Sequence, residues 1–283
     1  MASDRERNDS RGRKGGFSPN PQGARPGPRR HGPPPGDPAQ WLWGWHAVEA
    51  ALQNPDRPAP ERLFATAERA KAIVALRPGL KPEVMEPAEI ARRLPAGAAH
   101  QGVALRTPPL EGAALEEIAA SGSGVILVLD QLTDPQNVGA ILRSAAAFGA
   151  RGVVMQDRHA PPLGGALAKA AAGAMERMPV ARVVNLSRAL ETLTDLGWTS
   201  IGLDSDAETR LSDALDAPAV VIVLGSEGEG LRRLVAEHCD ILASIPMPGR
   251  FESLNVASAA AIALYAATDR PGSGVTGARV TGE

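Results

Sequence analysis

Three short segments carry residue types that hold small molecules or manage protons. The first, Asp134-Pro135-Gln136-Asn137-Val138-Gly139-Ala140-Ile141-Leu142-Arg143, places a carboxamide and a guanidinium six residues apart. The second, Gly225-Ser226-Glu227-Gly228-Glu229-Gly230-Leu231, has three glycines within six residues. That density makes a tight turn whose backbone N–H and C=O groups stand open to a ligand. The third is Ile245-Pro246-Met247-Pro248-Gly249-Arg250-Phe251-Glu252-Ser253-Leu254-Asn255-Val256, where two prolines remove backbone donors and stiffen the chain. Each also has an ordinary structural use. Asn137 suits the N-cap of a helix over 137–148, and Ser253 or Asn255 that of a last helix over 253–267. The glycines suit a plain strand-to-helix turn, and Arg143 a solvated helix arginine.

The elements that position these segments alternate in type. Val125-Ile126-Leu127-Val128-Leu129 is a continuous apolar run, the mark of a strand covered on both faces. Further strands are expected at 152–155, 180–183, 199–203, 219–224 and 241–245, with helices at 137–148, 163–175, 186–196, 231–239 and 253–267. This alternation predicts an α/β fold with a parallel sheet of five or six strands. The glycines follow the late strand Val220-Val221-Ile222-Val223-Leu224, whereas Leu129 runs into Asp130-Gln131-Leu132-Thr133 with none. A dinucleotide-binding fold needs its glycines after the first strand, and no G-x-x-x-x-G-K-[ST] phosphate loop is present. Nicotinamide-dependent oxidoreduction is therefore disfavoured.

A smaller α/β unit precedes this one, with helices from Gly44 to Leu52, Ala67 to Leu76 and Pro87 to Leu94, and strands at 62–65 and 100–105. Trp41, Trp43 and Trp45 fit a core or interface better than a base-stacking platform. Residues 1–38 hold Arg5, Arg7, Arg11, Arg13, Lys14, Arg25, Arg29 and Arg30 against Asp4, Glu6, Asp9 and Asp37, so a basic segment precedes a mildly acidic remainder within a net charge of -2. Its Pro, Gly and polar content predicts a disordered tail, either solubilising or in contact with a polyanion. The single cysteine, Cys239, excludes an intramolecular disulfide and a multi-cysteine zinc site, and it has no adjacent base that would make it a nucleophile. His46 and His100 lack partners at metal-ligand spacing, so no metal is expected. No apolar run reaches the roughly 18 residues of a membrane span, and no secretory apolar segment begins the chain, which makes the cytoplasm the expected location.

Taken together, "DPQNVGAILRSA", "LGSEGEGL" and "IPMPGRFESLNVASAAAIALY" resemble the three motifs of the SpoU/TrmH family of RNA ribose 2′-O-methyltransferases, part of the SPOUT superfamily. The resemblance covers about Val125 to Ala267. "GWHAVEAAL" and "HQGVAL" resemble the small L30e-like RNA-binding domain of the branch that methylates guanosine ribose in 23S rRNA. The organisation implied is a basic tail at 1–38, an L30e-like substrate-binding domain at 39–107, a linker at 108–122, a methyltransferase domain at 123–270 and a flexible C-terminus at 271–283. The family likeness further implies a C-terminal trefoil knot, a homodimer and S-adenosylmethionine as cofactor. Gly225, Ile245 and Leu254 would line the cofactor pocket, with Met247 and Ser253 nearby.

By the same likeness Arg143 would stand nearest the reacting hydroxyl, oriented by Asn137, Glu227 and Asn255. A guanidinium with a pKa above about 12 makes a poor base, and a clamp on phosphate, ribose or nascent alkoxide is the cheaper role. Two positions depart from the family pattern. Arg250 stands where a small or neutral residue is expected, and Ala172 where many relatives have Ser. Alternatives are the same chemistry on transfer RNA, a resistance methylase of ribosomal RNA, and an RNA-binding protein without catalysis.

Overall fold

The computed structural model describes residues 40–249 and 253–269. The expected basic tail (1–38), the flexible C-terminus (271–283) and Arg250 lie outside the described residues. The first sheet begins with β1 (Trp41–Trp43), followed by α1 (Trp45–Gln53), β2 (Arg62–Ala65), α2 (Ala67–Leu76), β3 (Glu83–Val84), α3 (Pro87–Ala91) and β4 (Val103–Arg106). Its four strands run in the order β1-β4-β2-β3. Trp41 and Trp43 are buried as strand residues, with Trp41 stacked on Phe64 at 5.6 Å. Trp45 carries the Arg69 guanidinium over its ring at 4.5 Å.

A short helix, α4 (Leu115–Ala119), leads into the second sheet. There follow β5 (Gly124–Leu129), α5 (Pro135–Ala147), β6 (Gly152–Gln156), α6 (Gly165–Ala171), β7 (Val180–Val183), α7 (Leu186–Asp195) and β8 (Thr199–Leu203). The chain ends with α8 (Leu211–Ala214), β9 (Ala219–Leu224), α9 (Arg233–Glu237), β10 (Ile241–Ala243) and α10 (Val256–Thr268). All six strands are parallel, in the order β10-β8-β9-β5-β6-β7. The α/β class and the parallel sheet are thus as expected. Strands β5 and β9 lie at the centre, every residue of both is buried, and they pair from Gly124↔Ala219 to Leu129↔Leu224. Both neighbouring segments, Asp130–Asp134 and Gly225–Arg232, therefore leave the same end of the sheet side by side. That is where parallel sheets hold ligands.

Several boundaries differ from the sequence expectation, for stated reasons. Helix α5 starts at Pro135, not Asn137, because Asp134 is the N-cap: its carboxylate accepts from the N–H groups of Gln136 (3.1 Å) and Asn137 (3.2 Å). Pro135 then takes the first helical position, which needs no donor. The expected helix over 163–175 breaks after Ala171, where Ala172 (φ 49) and Gly173 (φ 91) turn left-handed before a 3-10 turn at Ala174–Glu176. Helix α1 presses on this turn; a Cβ on Gly173 would lie 2.8 Å from the Ala50 Cβ and 3.2 Å from the His46 carbonyl oxygen. Helix α10 starts at Val256, capped by Asn255 and not by Ser253.

The turn at 174–176 also joins the two sheets. Arg57, before β2, donates from Nη2 and Nε to Glu176 at 2.7–3.3 Å and from Nη1 to the Pro108 carbonyl at 2.7 Å. Asn54 Nδ2 adds a bond to Glu176 Oε2 at 3.0 Å, and both ionic side chains are only 3% exposed. Pairing and several hydrogen bonds compensate two charges removed from water, and deleting one partner leaves the other stranded. Glu176→Ala is expected to lower the unfolding free energy by about 3–5 kcal/mol. Glu237→Ala, which opens the exposed Arg233–Glu237 pair, should cost under about 1 kcal/mol. Urea denaturation of both variants checks the contrast.

Candidate active site

The three segments singled out in the sequence converge at the C-terminal end of the parallel sheet. Asn255 Nδ2 donates to Asn137 Oδ1 at 3.0 Å and to Glu227 Oε1 at 2.6 Å, and Asn137 Nδ2 donates to the same Glu227 oxygen at 3.3 Å. The Val256 N–H reaches that oxygen too, at 3.2 Å. A carboxylate there sits at the N-terminus of the 13-residue α10, where free N–H groups and the helix dipole favour negative charge. Asn255 meanwhile uses its Oδ1 to cap α10 through the N–H groups of Ala257 and Ser258. One side chain therefore starts the helix with its oxygen and binds Glu227 and Asn137 with its nitrogen.

A cavity of about 350 Å³ opens beside this cluster. Its lining includes Gly225, Ile245, Met247, Ser253 and Leu254, the five residues expected to hold a cofactor, together with Glu227. Asp204, Ser205, Leu203 and Val256 also line it; Leu203 ends β8 and Asp204 follows it. Position just past a strand of a parallel sheet is the only signal that could have marked Asp204 beforehand. The volume lies within the roughly 300–1,000 Å³ of ligand pockets, with apolar walls and a few polar groups. Two carboxylates and open loop backbone suit a ligand carrying both a cation and hydrogen-bonding heteroatoms, as S-adenosylmethionine does.

The glycine turn is held rigidly. Ser226 and Gly230 exchange backbone bonds of 3.0 Å in both directions. Its exit is pinned by Arg232, whose N–H and Nε donate to the buried Asp130 at 2.9 and 2.8 Å and whose Nη2 reaches Gln156. Asp130 and Arg232 escaped sequence inspection because they lie 102 residues apart and neither belongs to a recognisable spacing. Gly225 has a steric reason to lack a side chain: a Cβ would come within 2.1 Å of the Gly230 carbonyl carbon and 2.4 Å of the Leu231 nitrogen.

Arg143 lies away from this cluster in space. Six residues along α5 correspond to roughly 240° of net rotation and 9 Å of rise from Asn137. Arg143 is exposed and lines a separate groove with His46, Glu49 and Arg177. Within one copy, then, the structure brings together Asn137, Glu227 and Asn255, and it does not bring Arg143 to them. Cys239 bonds the Val235 carbonyl, and burial pushes its thiol up to about 12, with Asp240 and Asp130 adding to the effect. A thiol held protonated in this way is a poor nucleophile. Among the described residues no group of three His, Cys, Asp or Glu side chains could hold a metal ion, and no helix is long and apolar enough to cross a membrane.

Residues 124–265 match the SpoU rRNA Methylase family, and residues 41–113 match a domain described as RNA 2′-O ribose methyltransferase substrate binding. An uncharacterized tRNA/rRNA methyltransferase of Synechocystis sp. is 39% identical over 251 residues, covering 82% of this chain and 65% of that protein. Another, of Mycolicibacterium vanbaalenii, is 42% identical over 177 residues, 61% of this chain and 56% of its own length. The chain thus spans less than two thirds of either relative. Among solved structures, an AdoMet-bound rRNA methyltransferase from Sinorhizobium meliloti is 27% identical with a TM-score of 0.66, covering 80% of this chain and 85% of that one. The SpoU methyltransferase AviRb from Streptomyces viridochromogenes, solved with AdoMet, shares the fold at 24% identity and a TM-score of 0.70, over 81% and 89% of the two chains.

Filling the space at Gly225 forces backbone against backbone, and such overpacking costs about 1–3 kcal/mol. Gly225→Ala is accordingly expected to weaken S-adenosylmethionine binding by about tenfold or more, read by isothermal titration. An unchanged affinity would remove this turn from the pocket.

Proposed function

We propose that this chain, which belongs to the SpoU rRNA methylase family, methylates a ribose 2′-hydroxyl of RNA, in the first instance a guanosine of 23S rRNA, using S-adenosylmethionine. The observation that carries this reading is the shared wall between the Asn137–Glu227–Asn255 cluster and the cavity of the glycine and proline turns. The match of residues 41–113 to a 2′-O substrate-binding domain supports the ribose as target and an RNA-binding role for the first sheet. We place the boundary between that domain and the catalytic one in 108–122, around α4, and the protein's work in the cytoplasm.

Gly225, Ile245, Met247, Ser253 and Leu254 would hold the cofactor, with Asp204 and Glu227 offering carboxylate charge to its cation. Bound there, the cofactor supplies an activated methyl group on a sulfonium, so the protein's task is alignment and charge control. Asn137 and Asn255 fix the Glu227 carboxylate, whose Oε1 accepts three donors and is thereby held in one orientation. Fixed groups of this kind position a hydroxyl in line, and alignment alone removes roughly 7–11 kcal/mol from a bimolecular barrier. Arg143 would supply a permanent positive charge beside the hydroxyl oxygen, favouring loss of its proton to solvent.

That role requires a second copy, because Arg143 faces away from its own cluster. We therefore infer a homodimer in which each subunit lends Arg143 to the other's site. Ile262 and Tyr265 on α10, beside α5, are 42% and 56% exposed and offer the apolar surface for it. Helix α10 packs against the central strands β5 and β9 although it follows the edge strand β10, and it is there that we place the knot.

Two measurements test the proposal. Mapping 2′-O-methyl sites in total RNA with and without the gene is expected to show loss of one 23S position. Loss of a transfer-RNA position would favour the alternative that the relatives' names leave open; loss of none would remove the activity. Arg143→Ala and Asn255→Ala should each be nearly inactive, while dimers remixed from the two should recover about a quarter of wild-type activity, since half are mixed and each carries one intact site. No recovery would place Arg143 outside a shared site.

A further inference from the structure

The groove that holds Arg143 has chemistry of its own. It encloses about 520 Å³ between α1, α5 and the turn after α6, so both sheets' units contribute to it. Its floor is small side chains, among them Ala146, Gly149 and the left-handed pair Ala172 and Gly173. Its charged and polar rim is Arg143 from α5, Arg177 from the end of the 174–176 turn, and His46, Glu49 and Gln53 from α1.

Both arginines are exposed, and among the described residues neither guanidinium makes a hydrogen bond or an ion pair; Arg177 bonds only through its backbone N–H, to the Ala174 carbonyl. Glu49 is the one carboxylate in the lining, and it lies 3.8 Å from His46 rather than against an arginine. Glu176, the residue before Arg177, is already committed to Arg57 and Asn54. Two unneutralised guanidiniums over a smooth floor match a multi-oxygen anion. The floor's lack of bulk lets a polymer backbone approach, which a deep polar pocket for a free anion would not need.

We propose that this groove seats a phosphodiester of the RNA strand flanking the methylated ribose, with Arg177 as a positioning residue beside Arg143. This rests on the methyltransferase reading and deepens it: Arg143 would report the reacting nucleotide, and Arg177 its neighbour along the strand. The seat is sequence-independent, since phosphate contacts set register and carry no base information.

The test uses the full chain and a 23S rRNA transcript, with binding measured across a salt series. Arg177→Ala is expected to weaken RNA binding about 3- to 10-fold and to lower the slope of log affinity against log salt by about 0.7–0.9, the share of one phosphate contact. S-adenosylmethionine affinity and the turnover at saturating RNA should stay near wild type, so the loss appears in KM. Arg177→Lys should restore most of the slope, since it keeps the charge, and Arg177→Glu should lose more than Ala. An unchanged slope and KM in Arg177→Ala overturns the seat. So does weakened self-association in ultracentrifugation with an unchanged slope, which would give the groove to the second copy. Failure of the wider reading looks different. A wild-type chain that transfers no methyl group while Arg177→Ala still flattens the slope removes the reaction and keeps the seat.

Discussion

The site depends on one carboxylate oxygen. Glu227 Oε1 accepts from Asn137, from Asn255 and from the first N–H of α10, so it ties its own turn to two stretches of chain 90 and 28 residues away in sequence. The geometry is possible because β5 and β9 are adjacent and parallel, which delivers the segments after both strands to one end of the sheet. The helix N-terminus then favours the negative charge that binds the two amides. Without Glu227 the Asn137 carboxamide would keep only its bond to Asn255, Asn255 would keep that bond and its cap of α10, and the glycine turn would lose its tie to α10. The cavity beside it is bounded by the same turns, so its shape depends on the same oxygen.

Much of this was legible in the sequence, because apolar runs and glycine placement report local structure directly. The run 125–129 reads as a doubly covered strand, and the glycines at 225–230 mark the ligand end of a late strand. What failed to read had non-local causes. The cap of α5 moves from Asn137 to Asp134 because the Asp134 carboxylate takes the N–H groups of Gln136 and Asn137 and Pro135 fits the first helical position. The break after Ala171 is imposed by α1, more than a hundred residues upstream, and nothing in the Ala-rich stretch itself announces it. Trp41–Trp43 pairs as a strand with β4 although three residues are too few to show a period. Asp130 and Arg232 look unremarkable until the fold makes them an ion pair.

The displacement of Arg143 has a different character. Its angle from Asn137 follows from helix geometry alone, yet a motif read as a string places the two residues in one site. Helical phase argues against that within one copy, and the groove lining agrees with the phase. Motif resemblance names residues; it does not say which of them meet in space. The same distinction applies to the first sheet. Its α1 both packs on the turn at Gly173 and supplies His46 and Glu49 to the groove, so the two sheets' units share a wall.

The pairing of β5 with β9 has a consequence for biogenesis. Val125 meets Val220, 95 residues later, so one long flank of the central strand has no neighbour while the ribosome works through the interval. At about 5–20 residues per second that exposure lasts roughly 5–20 s. Throughout it, an uninterrupted valine- and leucine-rich edge is available to any other nascent chain. The topology that creates a shared ligand end therefore also creates an interval of aggregation hazard until β9 emerges.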